Sequence, residues 1–199
     1  MYKISNLPTI RPTIKCSKQY KKLILKAEKE LEKECSLQLD LVTCSAIIAL
    51  NRYWNWNNNQ ITELLELHKT IWDECGSSNE ISMIQLLDEE CDIELTNQEG
   101  VSYKDSIYLN SELDDGRKLT PAQWLLMRQN QKKWVCAQIT ACICLAVHRK
   151  ENWSFNRISE LLIKMDDIKY EFDYNSNDIS QYVYDNLNYN WLGYTIRNY

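Results

Sequence analysis

Apolar residues recur at helical spacing along most of the chain. Ile61, Leu64, Leu65, Ile71 and Trp72 fall on one helical face, as do Ile158, Leu161, Leu162, Met165 and Ile168. Ahead of each stripe lies a longer stretch without a helix breaker. In the second case Thr120 and Pro121 mark N-cap and N1, and nothing interrupts the chain until Asn152, which predicts a helix of about 30 residues, roughly 45 Å long. In the first case Ser17 to Trp54 reads as one helix or as two broken near Cys35-Ser36. Shorter helices are predicted after Ser78-Asn79 (Ile81, Ile84, Leu87) and after Ser176-Asn177 (Ile179, Val183, Leu187). Periodicity is lost over residues 92–119. There Gly100, the alternating Val101, Tyr103, Ile107, Tyr108 and Leu109, and Asp114-Asp115-Gly116 fit a small hairpin or a covering linker.

The two helical stretches are related. Asn55-Trp56-Asn57-Asn58-Asn59-Gln60-Ile61-Thr62-Glu63-Leu64-Leu65 aligns with Asn152-Trp153-Ser154-Phe155-Asn156-Arg157-Ile158-Ser159-Glu160-Leu161-Leu162 at an offset of 97, with seven of eleven positions identical. Thr43, Ala49, Arg52 and Ile71 match Thr140, Ala146, Arg149 and Ile168 at the same offset. Each Trp precedes a capping residue, Asn57 or Ser154, and stands five residues before an Ile. That is the N′-to-N4 geometry of a hydrophobic staple. Gly76 suits the end of the first copy's second helix. The expectation is an all-α protein, a pseudo-two-fold internal duplication of a helical unit packed on its long first helices. Its segments are an extended 1–14, a first repeat 15–91, an acidic connection 92–119 and a second repeat 120–199 with a Tyr-rich tail.

Composition narrows the field. Four Gly and three Pro leave no glycine-rich phosphate loop and too few turns for an all-β fold. Eight Cys occur without a C-x-x-C pair, and the two His are far apart, so the spacing of a structural zinc site is missing. Reduced thiols in a core fit better. The richest apolar run, Val135 to Val147, is short and interrupted by Gln138 and Thr140, which suits a buried helix and not a membrane span. Met1 to Ile14 lacks the apolar core of a secretory signal, so a cytoplasmic location is expected.

Charge is unevenly placed. The net charge is −5, but residues 1–33 carry nine Lys/Arg against three Glu, a net +6 that leaves −11 on the remainder. An acidic body disfavours general phosphate binding. On the basic segment, Lys15, Lys18, Lys22, Lys26 and Lys29 recur at helical steps and could track phosphate. The alternation of Glu and Lys over 28–34 equally suits surface ion pairing.

The duplicated residues have structural explanations that outweigh chemical ones. Glu63 and Glu160 could form a carboxylate pair, but Glu near a helix start is favoured by the dipole. Arg52 and Arg149 stand near helix C-termini, where a cation is expected electrostatically. His148 has Asn51 as its counterpart, and Cys142 and Cys144 lie about 200° apart around a helix, so neither nucleophile nor chelate emerges. The prediction is a protein without catalytic residues, metal or cofactor. Candidate partner-binding residues are the acidic Glu94, Glu99, Asp105, Glu112, Asp114 and Asp115 of the connection and the aromatic Tyr189, Trp191 and Tyr194 of the tail. Tyr and Trp suit interfaces because each joins an apolar body to a polar tip.

The helix junctions Ala146-Val147-His148-Arg149-Lys150-Glu151-Asn152-Trp153-Ser154-Phe155 and Ala49-Leu50-Asn51-Arg52-Tyr53-Trp54-Asn55-Trp56 resemble an element of small helical proteins from bacteriophages and prophages of Gram-positive bacteria. In that group a helix ends in A-L-H-D-x-x-G-F-G and a second opens with a basic-x-x-x-L-L pattern; the glycines are absent here and the Asp is replaced. The resemblance implies a bacterial host cell and a binding protein that inhibits host machinery, in the manner of an anti-CRISPR. The expected partner is a host protein such as a defence nuclease or another nucleic-acid enzyme, met by an acidic helical surface. Direct nucleic-acid contact through residues 15–33 is the alternative.

Overall fold

The computed structural model describes residues 18–78, 83–96, 100–103 and 121–189, and among these the fold is all-α. The helices are α1 (Lys18–Trp54), α2 (Asn58–Ser78), α3 (Met83–Cys91), α4 (Pro121–Glu151), α5 (Phe155–Glu171) and α6 (Ser176–Leu187). The order long, medium, short occurs twice. α1 is a single helix through Cys35-Ser36, and α4 starts at Pro121 as the sequence predicts. Two boundaries differ from expectation. α2 passes through Gly76 to Ser78, because one Gly costs a helix only about 1 kcal/mol relative to Ala and does not by itself end it. α6 opens two residues early, at Ser176, capped by Asn175, whose side-chain oxygen accepts from Asn177 N at 3.0 Å and Asp178 N at 3.4 Å. The expected hairpin is reduced, among the described residues, to one antiparallel bridge between Thr96 and Ser102, while Ile107 to Gly116 lie outside them.

The two long helices form the centre. Residues 39–50 of α1 and, Thr140 excepted, 137–147 of α4 are buried on every side, the signature of helices surrounded by others. Small residues, including Ala46, Ala49, Ala141 and Ala146, let several neighbours approach at once. Gln38 Oε1 lies 3.9 Å from Cys136 Sγ, and the Trp54 and Trp153 rings are 5.0 Å apart. Both contacts advance in the same sequence direction, so α1 and α4 run parallel. Four shorter amphipathic helices cover the pair, and they do so crosswise. α5 and α6 pack on α1, whereas α2 and α3 pack on α4. Each long helix is therefore covered by the short helices of the other half of the chain.

Glycine scarcity has a visible consequence at the helix ends. Asn55, Asp92, Asn152 and Asn188 adopt left-handed backbone, with φ of 55°, 56°, 53° and 54°, where glycine is commonest and Asn or Asp is tolerated. Each is followed by a buried apolar or aromatic residue: Trp56, Ile93, Trp153 and Tyr189. The turn at Asn55 lets Trp56 N–H donate back to Leu50 O at 3.1 Å, and that at Asn188 lets Tyr189 N–H reach Val183 O at 3.4 Å. Trp56 and Trp153 are 4% and 3% exposed and meet each other with centroids 6.1 Å apart, while Ile61 and Ile158 beneath them are fully buried. The short third helices match at an offset of 96, with Met83 and Leu87 corresponding to Ile179 and Val183, all buried.

Candidate functional site

The junction after each long helix is built from the repeated residues. Asn57 caps α2 by accepting from Asn59 N at 3.0 Å and Gln60 N at 3.1 Å, and Gln60 Oε1 accepts from Asn57 N in return, which completes a capping box. Ser154 occupies the same position before α5 but makes no side-chain cap, contrary to the sequence expectation. There Arg157 stands where Gln60 does, and its guanidinium lies over the Trp153 ring at 4.4 Å in place of the return bond. His148 Nδ1 donates to Trp153 O at 2.7 Å, and its counterpart Asn51 donates through Nδ2 to Trp56 O at 3.0 Å. The histidine and the asparagine thus do one structural job.

Arg52 and Arg149 join the halves. Arg52 holds Glu171 through paired bonds of 2.6 and 3.1 Å, tying α1 to α5. Arg149 holds Glu90 through bonds of 3.0 and 2.6 Å and lies 4.0 Å from Glu74, tying α4 to α3 and α2. Glu74 and Glu171 are themselves 97 residues apart, so the ion pairs recur with the sequence. The guanidinium hydrogen bonds keep the Glu90 and Glu171 carboxyls below their ordinary range and raise both arginines. Glu63 is held by Lys150 in an ion pair between α2 and α4, and so is engaged within the fold.

Cys35, Cys44, Cys91, Cys142 and Cys144 lie inside, and Cys75 and Cys136 are half-buried. Burial pushes Cys44 and Cys144 up to about 12 and Cys142 well above its ordinary value, and Cys142 Sγ donates to His68 O at 3.3 Å. His68, fully buried beside Trp72, is lowered to about 4 by desolvation. Among the described residues, no group of three or more His, Cys, Asp or Glu could hold a metal ion. No helix of the described residues is long and apolar enough to cross a membrane.

The proposed contact residues divide. Glu94 is exposed just beyond α3. Tyr189 is 8% exposed, with its hydroxyl 3.4 Å from Thr62 Oγ1, so its ring packs on the chain's own α2. Lys26 and Lys29 are exposed on α1, and Lys26 pairs with Glu30 at 3.7 Å. Lys18 and Lys22 fall on α1, with side chains outside the described part. Lys15, Glu99, Asp105, Glu112, Asp114, Asp115, Trp191 and Tyr194 lie outside the described residues.

What sequence reasoning missed is an asymmetry between the flanks. Residues 58–96, spanning α2 and α3, hold ten Asp/Glu against one Lys, whereas residues 155–189, spanning α5 and α6, hold seven against three Lys/Arg. On the second flank Lys164 pairs with Asp167, Lys169 with Asp166 and Glu171 with Arg52. Exposed acids without an ion pair among the described residues stand on both flanks, Glu66, Asp73, Glu89, Asp92 and Glu94 on the first and Glu160, Asp173, Asp178 and Asp185 on the second, so the flanks differ in their scarcity of cations. Counting charge repeat by repeat would have exposed this difference. No family model matches the chain, and no curated protein or solved structure is found to be similar to it.

Proposed function

We propose that the protein is a non-enzymatic binding protein whose acidic α2–α3 flank, continued by Glu94, occupies a basic nucleic-acid channel on a partner enzyme. A host defence nuclease is such a partner, in keeping with the phage-type resemblance of the helix junctions. The observation that carries this reading is the unbalanced flank itself. Its exposed carboxylates are spaced along α2, α3 and the turn beyond, whose one cation is Lys69, and the basic side chains that reach this flank from α4, Arg149 and Lys150, are already committed to Glu90 and Glu63. Carboxylates set where phosphates would lie draw a cationic cleft by the same long-range field and accelerate encounter. The partner's cationic residues would supply the missing counter-charges.

The test is capture from bacterial lysate on the tagged full chain, with and without competing duplex DNA. It is repeated with Glu66→Lys, Asp73→Lys and Glu89→Lys combined, all exposed positions outside the core. The expected result is a partner released by duplex and lost with the triple variant. Partners indifferent to both would refute the acidic surface. A mobility shift of bare duplex by the protein at about 50 mM salt, fading near 200 mM, would instead move the function to basic residues 15–33. On α1 that alternative meets Glu28, Glu30, Glu32 and Glu34 interleaved with Lys26, Lys29 and Lys33, which dilutes the positive field.

A further inference from the structure

Exposed apolar side chains gather around α5. Phe155, Ile163, Tyr170 and Tyr174, on that helix and the turn after it, are between 50% and 74% exposed, and Tyr53 at the end of α1 is about half exposed. At the offset of 97 their counterparts are Asn58, Glu66, Asp73, Ser77 and Lys150, every one polar. The matching helix α2 is thus built with polar side chains where α5 has apolar ones, so the fold itself does not require them. Among the described residues, no large apolar side chain is exposed on α2 or α3. Ile163 and Tyr170 are seven residues apart and share the outer face of α5. Phe155 and Lys164 lie about 80° and 100° around the helix from Ile163, on the edge where Lys164 Nζ stands 5.0 Å over the Tyr53 ring.

Area and charge select the occupant. With about 200 Å² for each such side chain, the exposed fractions leave roughly 550 Å² of apolar surface. A stable interface buries about 800 Å² per partner, of which about 57% is non-polar, so this face is large enough for one. α5 holds Glu160, Asp166, Asp167 and Glu171 against Arg157, Lys164 and Lys169, a net −1. Asp167, Asp166 and Glu171 are moreover paired with Lys164, Lys169 and Arg52. The whole chain carries −5, and residues 58–96, with ten acids against one Lys, carry −9. Two copies of so acidic a chain meet least repulsion α5 to α5, whereas a strongly charged partner finds no field there to steer it. We infer that the outer face of α5 is a two-fold dimer interface, with Ile163 and Tyr170 packing against the same face of a second copy. A two-fold contact uses one self-complementary patch on both molecules, and tyrosine is enriched in such patches. The acidic α2–α3 flank, packed on α4, stays outside the contact.

Sedimentation of the full chain up to about 0.1 mM, in low salt and in about 0.5 M salt, provides the test. The expected species has twice the 23.6 kDa mass of the chain at both salts, because the contact is apolar. Ile163→Glu combined with Tyr170→Asp installs the residues of the matching positions on α2. It should give a monomer with the far-ultraviolet dichroism and urea midpoint of the parent. A parent that stays monomeric up to that concentration would overturn the inference, as would a dimer that survives the double variant. So would a dimer that dissociates in high salt, since it would rest on ionic attraction. Should the double variant lose its helicity, the single changes Ile163→Gln and Tyr170→Ser take its place. Each residue enters a two-fold contact twice, so either change should raise the dissociation constant by at least about tenfold. An unchanged constant for both would equally refute the interface.

Discussion

Removing the aromatic pair at the helix junctions tests the architecture most directly. Trp56 and Trp153 are almost wholly buried, and Trp153 touches both Trp54 and Trp56. Burying an aromatic side chain of this size removes about 200 Å² from water, which at about 25 cal/mol per Å² is about 5 kcal/mol as an upper figure. Typical Trp-to-Ala costs of about 3–5 kcal/mol agree with that scale. Trp56→Ala and Trp153→Ala are each expected in this range. Because the rings meet edge to face, the double variant should lose less than the sum of the two, by about 0.5–1.5 kcal/mol. Urea unfolding followed by circular dichroism gives all three values, provided the slope is unchanged. Tyr53, 47% exposed, is the control, and Tyr53→Ala should shift the midpoint little. If either Trp variant loses under about 1 kcal/mol, or the losses simply add, then the junctions are not the packed pair described.

Three further outcomes follow from polar and titratable groups between the helices. His68 is lowered from 6.5 to about 4 by burial, so the unfolded chain binds its proton first. Stability should be full above about pH 6.5 and fall as pH drops toward 4, by about 3 kcal/mol in all; His68→Met, which places there the residue type of the matching Met165, should remove this slope from pH-dependent denaturation. Below the ordinary carboxylate range a separate loss sets in as Glu90 and Glu171, depressed by their arginines, take up protons, and Arg52→Gln with Arg149→Gln should flatten that part. Gln138 is 2% exposed, and neither its amide nitrogen nor its oxygen has a partner among the described residues, so Gln138→Leu should raise stability by about 1–3 kcal/mol in thermal melts.

Elements legible in the sequence are those where local chemistry and tertiary packing agree. The helix at Pro121, the staple residues Trp56 and Trp153 and the all-α class follow from spacing alone, because period and caps are local properties. Gly76 misleads about the end of α2, since Gly permits a helix stop without requiring one. The left-handed Asn and Asp turns also escape a reading by periodicity. Their signal is an Asx followed by an apolar or aromatic residue at the end of a helical period, and it stands openly at Asn55-Trp56, Asp92-Ile93, Asn152-Trp153 and Asn188-Tyr189. A Tyr-rich tail reads as exposed, which makes Tyr189 an interface candidate, yet its place after Asn188 gives it the role of the two tryptophans. Crosswise packing is beyond the reach of sequence. Periodicity shows which face of a helix is apolar, and similar patterns in the two halves leave no means of telling which partner that face takes.

That ambiguity bears on where function should be sought. Besides the exposed Asn59/Asn156 and Glu63/Glu160, the residues shared by the two halves include interior or joining ones: the Trp staple, Ile61 and Ile158, Arg52 and Arg149, Glu74 and Glu171. Each is accounted for by burial, a helix junction or an ion pair across the halves. A surface that served a symmetric partner would repeat as well. Instead the exposed faces diverge, with Glu66 and Asp73 on α2 standing opposite Ile163 and Tyr170 on α5 at the same offset. The first flank, with ten Asp/Glu against one Lys, is the more acidic, while the second, with seven against three, mixes exposed Ile163, Tyr170 and Tyr174 with the ion pairs Lys164–Asp167 and Lys169–Asp166. A core of two like halves clad in two unlike surfaces suits a partner without two-fold symmetry. For the acidic-surface function proposed above, charge reversal on the α2–α3 flank, the more acidic of the two, is therefore the discriminating change, and the same reversal on α5–α6 is its control.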